Sequence, residues 1–126
     1  MWIFTRYGFF SIACARKKDG SIDEDKVMIR ARSRKHLENL RDRFPESECA
    51  RAEIICNAGT DYKFRLIVLK SEWVKIVSQL VTEQTWSNFK NEALSFGNKI
   101  KSSSRYIHAL HQIWEVMFRF QENGEE

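Results

Sequence analysis

Strand-like alternation dominates the first half of the chain. Trp2–Thr5 is a short apolar run, Arg6-Tyr7-Gly8 offers a turn, and residues 9–15 alternate. In that run Phe10, Ile12 and Cys14 share one face, and Phe9, Ser11 and Ala13 share the other. A loop is expected over residues 17–25, with Asp19-Gly20 as its turn signal and a length beyond the two-residue hairpin type. Residues 26–32 alternate again, with Val27, Ile29 and Ala31 opposed to Met28, Arg30 and Arg32. A strand is predicted at 53–57, a turn at Ala58-Gly59-Thr60-Asp61, and a longer strand at 62–69. There Tyr62, Phe64, Leu66 and Val68 are expected on one face, with Lys63, Arg65 and Ile67 opposite.

The periodicity then changes. Ser33 is a suitable N-cap for a helix over 34–44, whose stripe is Leu37, Leu40 and Phe44 and which Pro45 ends. Ser71 is expected to cap a second helix with the stripe Trp73, Val77, Leu80 and Val81, and Ile76 beside it. A helix over 88–96 is expected to end at Gly97 as its C′ residue. A basic loop over 99–103 leads to a last helix over 104–121 with Ile107, Leu110, Trp114 and Met117 as its stripe. Two β-β-α units in series predict an α+β fold: an antiparallel β-sheet with helices packed on it, plus two C-terminal helices. The ferredoxin-like order, β-α-β-β-α-β, is different.

Composition narrows this picture. The 126 residues suit one core. With 43% hydrophobic and 30% charged residues, wholesale disorder is excluded. A single α+β domain over residues 1–121 and an acidic flexible tail over 122–126 are expected. The net charge is +4, and Glu122, Glu125 and Glu126 fall in that tail, so the body is more basic than the total. No apolar run reaches the roughly 18–20 residues of a membrane-spanning helix, and the N-terminus lacks a basic signal-peptide region. A cytoplasmic protein without membrane contact is the expectation. Cys14, Cys49 and Cys56 are odd in number and form no CxxC pair, which points away from a disulfide framework or zinc knuckle. Cys14 and Cys56 read as small buried hydrophobes inside strands.

Candidate chemistry centres on the sheet. If helices cover the face with Ile12, Ile29, Phe64 and Leu66, the other face presents Phe9, Ser11, Arg30, Arg32, Lys63 and Arg65. Cationic groups there can neutralise phosphates while an aromatic ring stacks on a base. Solvent-facing Lys and Arg also protect sheets from aggregation. Arg6-Tyr7-Gly8-Phe9-Phe10 echoes part of the aromatic strand motif of RNA-recognition modules. Asn88 and Lys90 open a helix, where they can grip an anion or simply start the helix. Asp61 in its turn can act on a ligand or bond its own backbone. Asp61 can also pair with Arg65. His108 and His111 lie three apart without a third metal ligand in view, and Asp23, Glu24 and Asp25 lack calcium-loop spacing. There is no Walker-A loop, GxGxxG or GxSxG motif, so no cofactor or catalytic set is expected.

Met1-Trp2-Ile3-Phe4-Thr5-Arg6-Tyr7-Gly8-Phe9-Phe10-Ser11, Thr60-Asp61-Tyr62-Lys63-Phe64-Arg65, Asn88-Phe89-Lys90 and the helix with Tyr106 and Trp114 carry a further pattern. Together they resemble a family of small uncharacterised bacterial and phage proteins that begin Met-Trp, then a Thr, then Gly-Phe-Phe-Ser. The resemblance implies a shared fold and a shared site using Thr5, Ser11, Asp61, Arg65, Asn88 and Lys90, either for a ligand or as a buried network. A phage setting would imply action on a host protein of a defence system. Two readings therefore stand: a non-enzymatic binding module for single-stranded nucleic acid or another phosphate-bearing ligand, and a protein-interaction module or inhibitor docking through aromatic-rich helices.

Overall fold

Trp2–Thr5 and Gly8–Arg16 pair as antiparallel strands β1 and β2 in a computed structural model that describes residues 1–56, 61–101 and 104–124. The chain falls into two units, Met1–Thr85 and Trp86–Glu126. In the first, β3 (Ile22–Ala31), α1 (Arg34–Arg43), α2 (Glu48–Arg51), β4 (Ile55–Cys56), β5 (Phe64–Leu69) and α3 (Lys70–Thr82) follow. The five strands form one antiparallel sheet in the order β1-β2-β3-β5-β4. The fold is α+β, as the alternation predicts.

The core lies between the sheet and its helices. Phe10, Ile12, Val27, Ile29, Ala31, Leu66 and Val68 are buried, as are Leu37 and Leu40 of α1 and Trp73 and Ile76 of α3. Each of the larger aliphatic and Phe side chains contributes about 1.5–3 kcal/mol of burial free energy. Their register neighbours Phe9, Ser11, Arg30 and Arg65 occupy the opposite face.

The β1–β2 hairpin is tied down by specific bonds. Thr5 Oγ1 accepts from the backbone N–H of Tyr7 and Gly8 at 3.1 and 3.2 Å and donates to the Gly8 carbonyl at 2.9 Å. The Asn39 amide donates to the Tyr7 carbonyl at 3.0 Å, and Phe9 N–H donates to His36 Nδ1 at 3.3 Å. Gly8 has φ +150°, and a Cβ there would lie 2.3 Å from His36 Cγ. Only glycine fits this approach.

A second tie joins three distant segments. Glu83, the residue after α3, accepts from the Tyr7 hydroxyl at 2.6 Å and from Arg43 Nε at 3.0 Å. Its carboxylate also pairs with Arg6 at 3.3 Å and with Arg43 Nη2 at 2.9 Å. One largely buried carboxylate thus holds the first hairpin, the end of α1 and the end of α3 together.

Several expectations are corrected. β3 begins at Ile22 rather than residue 26, because its first half is exposed and charged and shows no alternation. The connection is a short turn in which Asp19 accepts from Ser21 N–H and hydroxyl, with Gly20 at φ +88°. The β2–β3 register shifts between Cys14 and Ala15. Ala15 is buried beyond that shift and Cys14 is half-exposed. Cys56 is exposed on the two-residue strand β4, and Cys49 on the unforeseen α2 is the buried thiol, pushed up to about 11 by burial. Ser33 makes no side-chain cap, and Ser71 lies inside α3, which starts straight from β5. Val81 is exposed on α3. The strand read over 62–69 starts at Phe64.

The second unit is a pair of helices, α4 (Phe89–Lys99) and α5 (Ser104–Asn123), packed on one another. Asn88 caps α4 by accepting from Asn91 N–H at 3.0 Å. Gly97 does not end the helix; α4 continues to Lys99, and Lys101 takes the positive φ of 54° instead. On α5 the expected stripe buries only Leu110, while Trp114 and Met117 are exposed. Asn57 and the turn residues 58–60, residues 102–103 of the basic loop and residues 125–126 of the tail lie outside the described residues. No helix of the described residues is long and apolar enough to cross a membrane.

Candidate nucleic-acid interface

The sheet face away from α1 and α3 carries its chemistry in two cross-strand rows. Trp2 stands opposite Ser11, Ser11 opposite Arg30, and Arg30 opposite Arg65. Phe4 stands opposite Phe9 in the neighbouring row. The rings of Phe4 and Phe9 stack at 4.6 Å, and Trp2 meets Phe9 edge-on at 5.8 Å. Trp2 is 70% exposed.

Tyr62 is the pivot of the basic half. Its ring lies 6.4 Å from Phe9, with the Arg30 guanidinium at 4.8 Å and that of Arg32 at 4.2 Å from its centroid. Such contacts are worth about 0.5–2 kcal/mol each and orient a cation without neutralising it. This overturns the expected grouping of Tyr62 with Phe64 and Leu66. The chain becomes extended only at Phe64, so alternation does not reach back to Tyr62.

Each cation has a distinct setting. Arg30 donates to Ser11 Oγ at 2.8 Å and to the Ser11 carbonyl at 3.3 Å. No carboxylate lies within ion-pair distance of Arg30 or Lys63 among the described residues. Arg65 is only 8% exposed and donates to the Tyr62 carbonyl at 3.4 Å and to Met28 Sδ at 3.5 Å. Asp61 pairs with Arg32 at 2.9 Å rather than with Arg65. The Arg32 hydrogen bond holds the Asp61 carboxyl below the usual range, and Asp61 in turn raises the pKa of Arg32. Lys63 is exposed, with its ammonium 5.6 Å from the Phe64 ring.

Phe9, Ser11, Arg30, Arg32, Asp61 and Arg65 therefore gather at one end of one sheet, whereas the contact of Lys63 is with the Phe64 ring, whose strand partner is the core residue Ala31. Asn88 and Lys90 belong to the second unit, where Asn88 is the helix cap and Lys90 lies 4.5 Å over the Trp114 ring. Thr5 works in the hairpin turn. Sequence reasoning missed Trp2, Phe4 and Tyr62. The first two were legible from the pairing of a Trp-x-Phe strand with the next, because alternate residues of paired strands share a face. His36 sits behind the sheet, and burial holds its pKa below the ordinary value. His111 stacks on Trp114 at 5.9 Å and faces Glu115 at 3.8 Å. Among the described residues no group of three His, Cys, Asp or Glu side chains forms a metal cluster.

No protein-family model, curated protein or solved structure matches the chain.

Proposed function

We propose that the protein is a non-enzymatic binding module for single-stranded nucleic acid. One observation carries this reading: exposed Trp2 and half-buried Phe9 adjoin Tyr62, over whose ring Arg30 and Arg32 lie, and exposed Lys63 follows Tyr62 in the chain. A single strand presents both partners at once. Its unstacked bases match the rings, and its phosphates match the guanidinium and ammonium groups. Tyr62 and Ser11 hold the arginines in place before a strand arrives, which lowers the ordering cost of binding. A cytoplasmic setting, in which Cys14, Cys49 and Cys56 stay reduced, suits this role.

The test is a titration of short labelled single-stranded DNA and RNA at two salt concentrations. Contact with about three phosphates predicts a log–log salt slope of about −2 and a ~20-fold loss of affinity between about 50 and 200 mM salt. Binding that is absent at the lower salt, or indifferent to salt, refutes the proposal.

A further inference from the structure

The second half of α5 is apolar and bare. Ile113, Trp114, Val116, Met117, Phe118 and Phe120 remain exposed, from 36% at Ile113 to 63% at Val116. The spacing of Ile107, Leu110, Trp114, Met117 and Gln121 alternates three and four, the repeat of a helix seam that seeks another helix. α4 covers that seam as far as Leu110, and Lys90 caps only the ring of Trp114. What remains is on the order of 600 Å² of contiguous apolar surface, the upper end for a free-standing protein.

We propose that a second copy of this chain covers this surface, the two α5 helices packing antiparallel about a two-fold axis near Met117. Three observations select that occupant. First, the area fits. A two-fold contact buries at most the patch twice, up to roughly 1,200 Å² in total, which is the lower edge of a standard-size interface and fits a weak, concentration-dependent dimer. Second, the shapes complement each other under that symmetry. An axis at Met117 sets Trp114 of one copy against Phe120 of the second copy, beside a hollow of about 380 Å³ lined by Met117, Phe120, Gln121 and Gly124. Trp114 is already oriented for this by its stack on Phe118 at 5.4 Å.

Third, the charges fit. The stripe itself carries no Lys, Arg, Asp or Glu, so two copies meet without burying like charges. Glu122 is followed in sequence by Glu125 and Glu126, which makes the helix end acidic. A parallel pair would set these ends side by side. The antiparallel pair separates the two Glu122 positions by about 15 Å along the axis, beyond a screening length of ~8 Å. The polar side of this stretch, with Glu115, Arg119 and Glu122, also lacks the excess of basic residues that holds an amphipathic helix on an anionic membrane.

The experiment is sedimentation of the full chain across a micromolar concentration series, with circular dichroism and melting as folding controls. The expected result is a concentration-dependent dimer of twice the 15.0 kDa chain mass. Met117→Glu should shift it to monomer at unchanged melting temperature, and Gln112→Glu on the polar side should leave the dimer intact. Under oxidising conditions Met117→Cys, on the axis, should give a covalent dimer well above the wild-type level, and Gln112→Cys should not. A folded wild-type chain that stays monomeric throughout overturns the proposal. So does a dimer that survives Met117→Glu, or a monomer whose α5 instead carries it onto anionic lipid vesicles.

Discussion

Replacing Glu83 by alanine should be among the most damaging single changes in the first unit. The Glu83 side chain is 10% exposed and Arg6 and Arg43 are 20% and 38% exposed. Deleting the acid removes the acceptor that the Tyr7 hydroxyl and two cations share. Breaking a buried pair from one side costs about 3–5 kcal/mol, because the remaining charge stays desolvated. Arg43 can turn towards water, so its share is discounted for screening, which places Glu83→Ala near the lower end, at about 3 kcal/mol. For a unit of this size that is a Tm lower by more than about 10 °C. Glu83→Gln keeps an acceptor for Tyr7 and should cost about 2 kcal/mol, while Tyr7→Phe removes one hydrogen bond to a charged group, about 1.5 kcal/mol. Urea titrations of Glu83→Ala, Tyr7→Phe and the double variant measure the coupling, expected at about 1 kcal/mol. A Glu83→Ala protein within about 0.5 kcal/mol of wild type would refute the reasoning, since that is the range of ordinary surface substitutions.

Acid should destabilise the fold through His36. Burial lowers its folded pKa, so below the unfolded value near 6.5 only the unfolded chain takes the proton. Stability is then full above that pH and falls by up to about 1.4 kcal/mol per unit beneath it. His36→Asn should flatten this slope between pH 7 and 5 in urea titrations, and an unchanged slope contradicts the assignment. Gly8→Ala should cost at least about 3 kcal/mol, because it combines the positive φ with a clash against α1; a loss under 1 kcal/mol in chemical denaturation would mean the hairpin does not rest on His36. Native alkylation followed by mass spectrometry should label exposed Cys56 first and Cys49 only on unfolding; equal rates would contradict the burial of α2.

Alternation in β2 separated Phe10 and Ile12 from Phe9 and Ser11 correctly, because both sides of that strand are extended and one side is core. It failed at Tyr62, where the backbone bends before the strand, and at Cys14, where the register shifts. The start of β3 was invisible because an exposed hairpin arm carries no apolar period. On α5 the period marked a real face, but periodicity reports which residues share a face and not whether anything covers it. Glu83 was illegible for a different reason. Its partners Arg6, Tyr7 and Arg43 are far apart in sequence, and only the packed helices bring them to one carboxylate. Arg30, Arg32 and Phe9 of the candidate site were readable from alternation, but the added rings Trp2 and Phe4 needed the pairing of β1 with β2.

The most direct test of the binding account compares two kinds of variant on one short single strand. Trp2→Ala removes the exposed stacking ring and should weaken binding by about 1–3 kcal/mol while leaving the salt slope unchanged. Arg32→Ala/Lys63→Ala removes phosphate contacts and should reduce the slope by about 1.4. Wild-type affinity and slope in both variants would contradict the account.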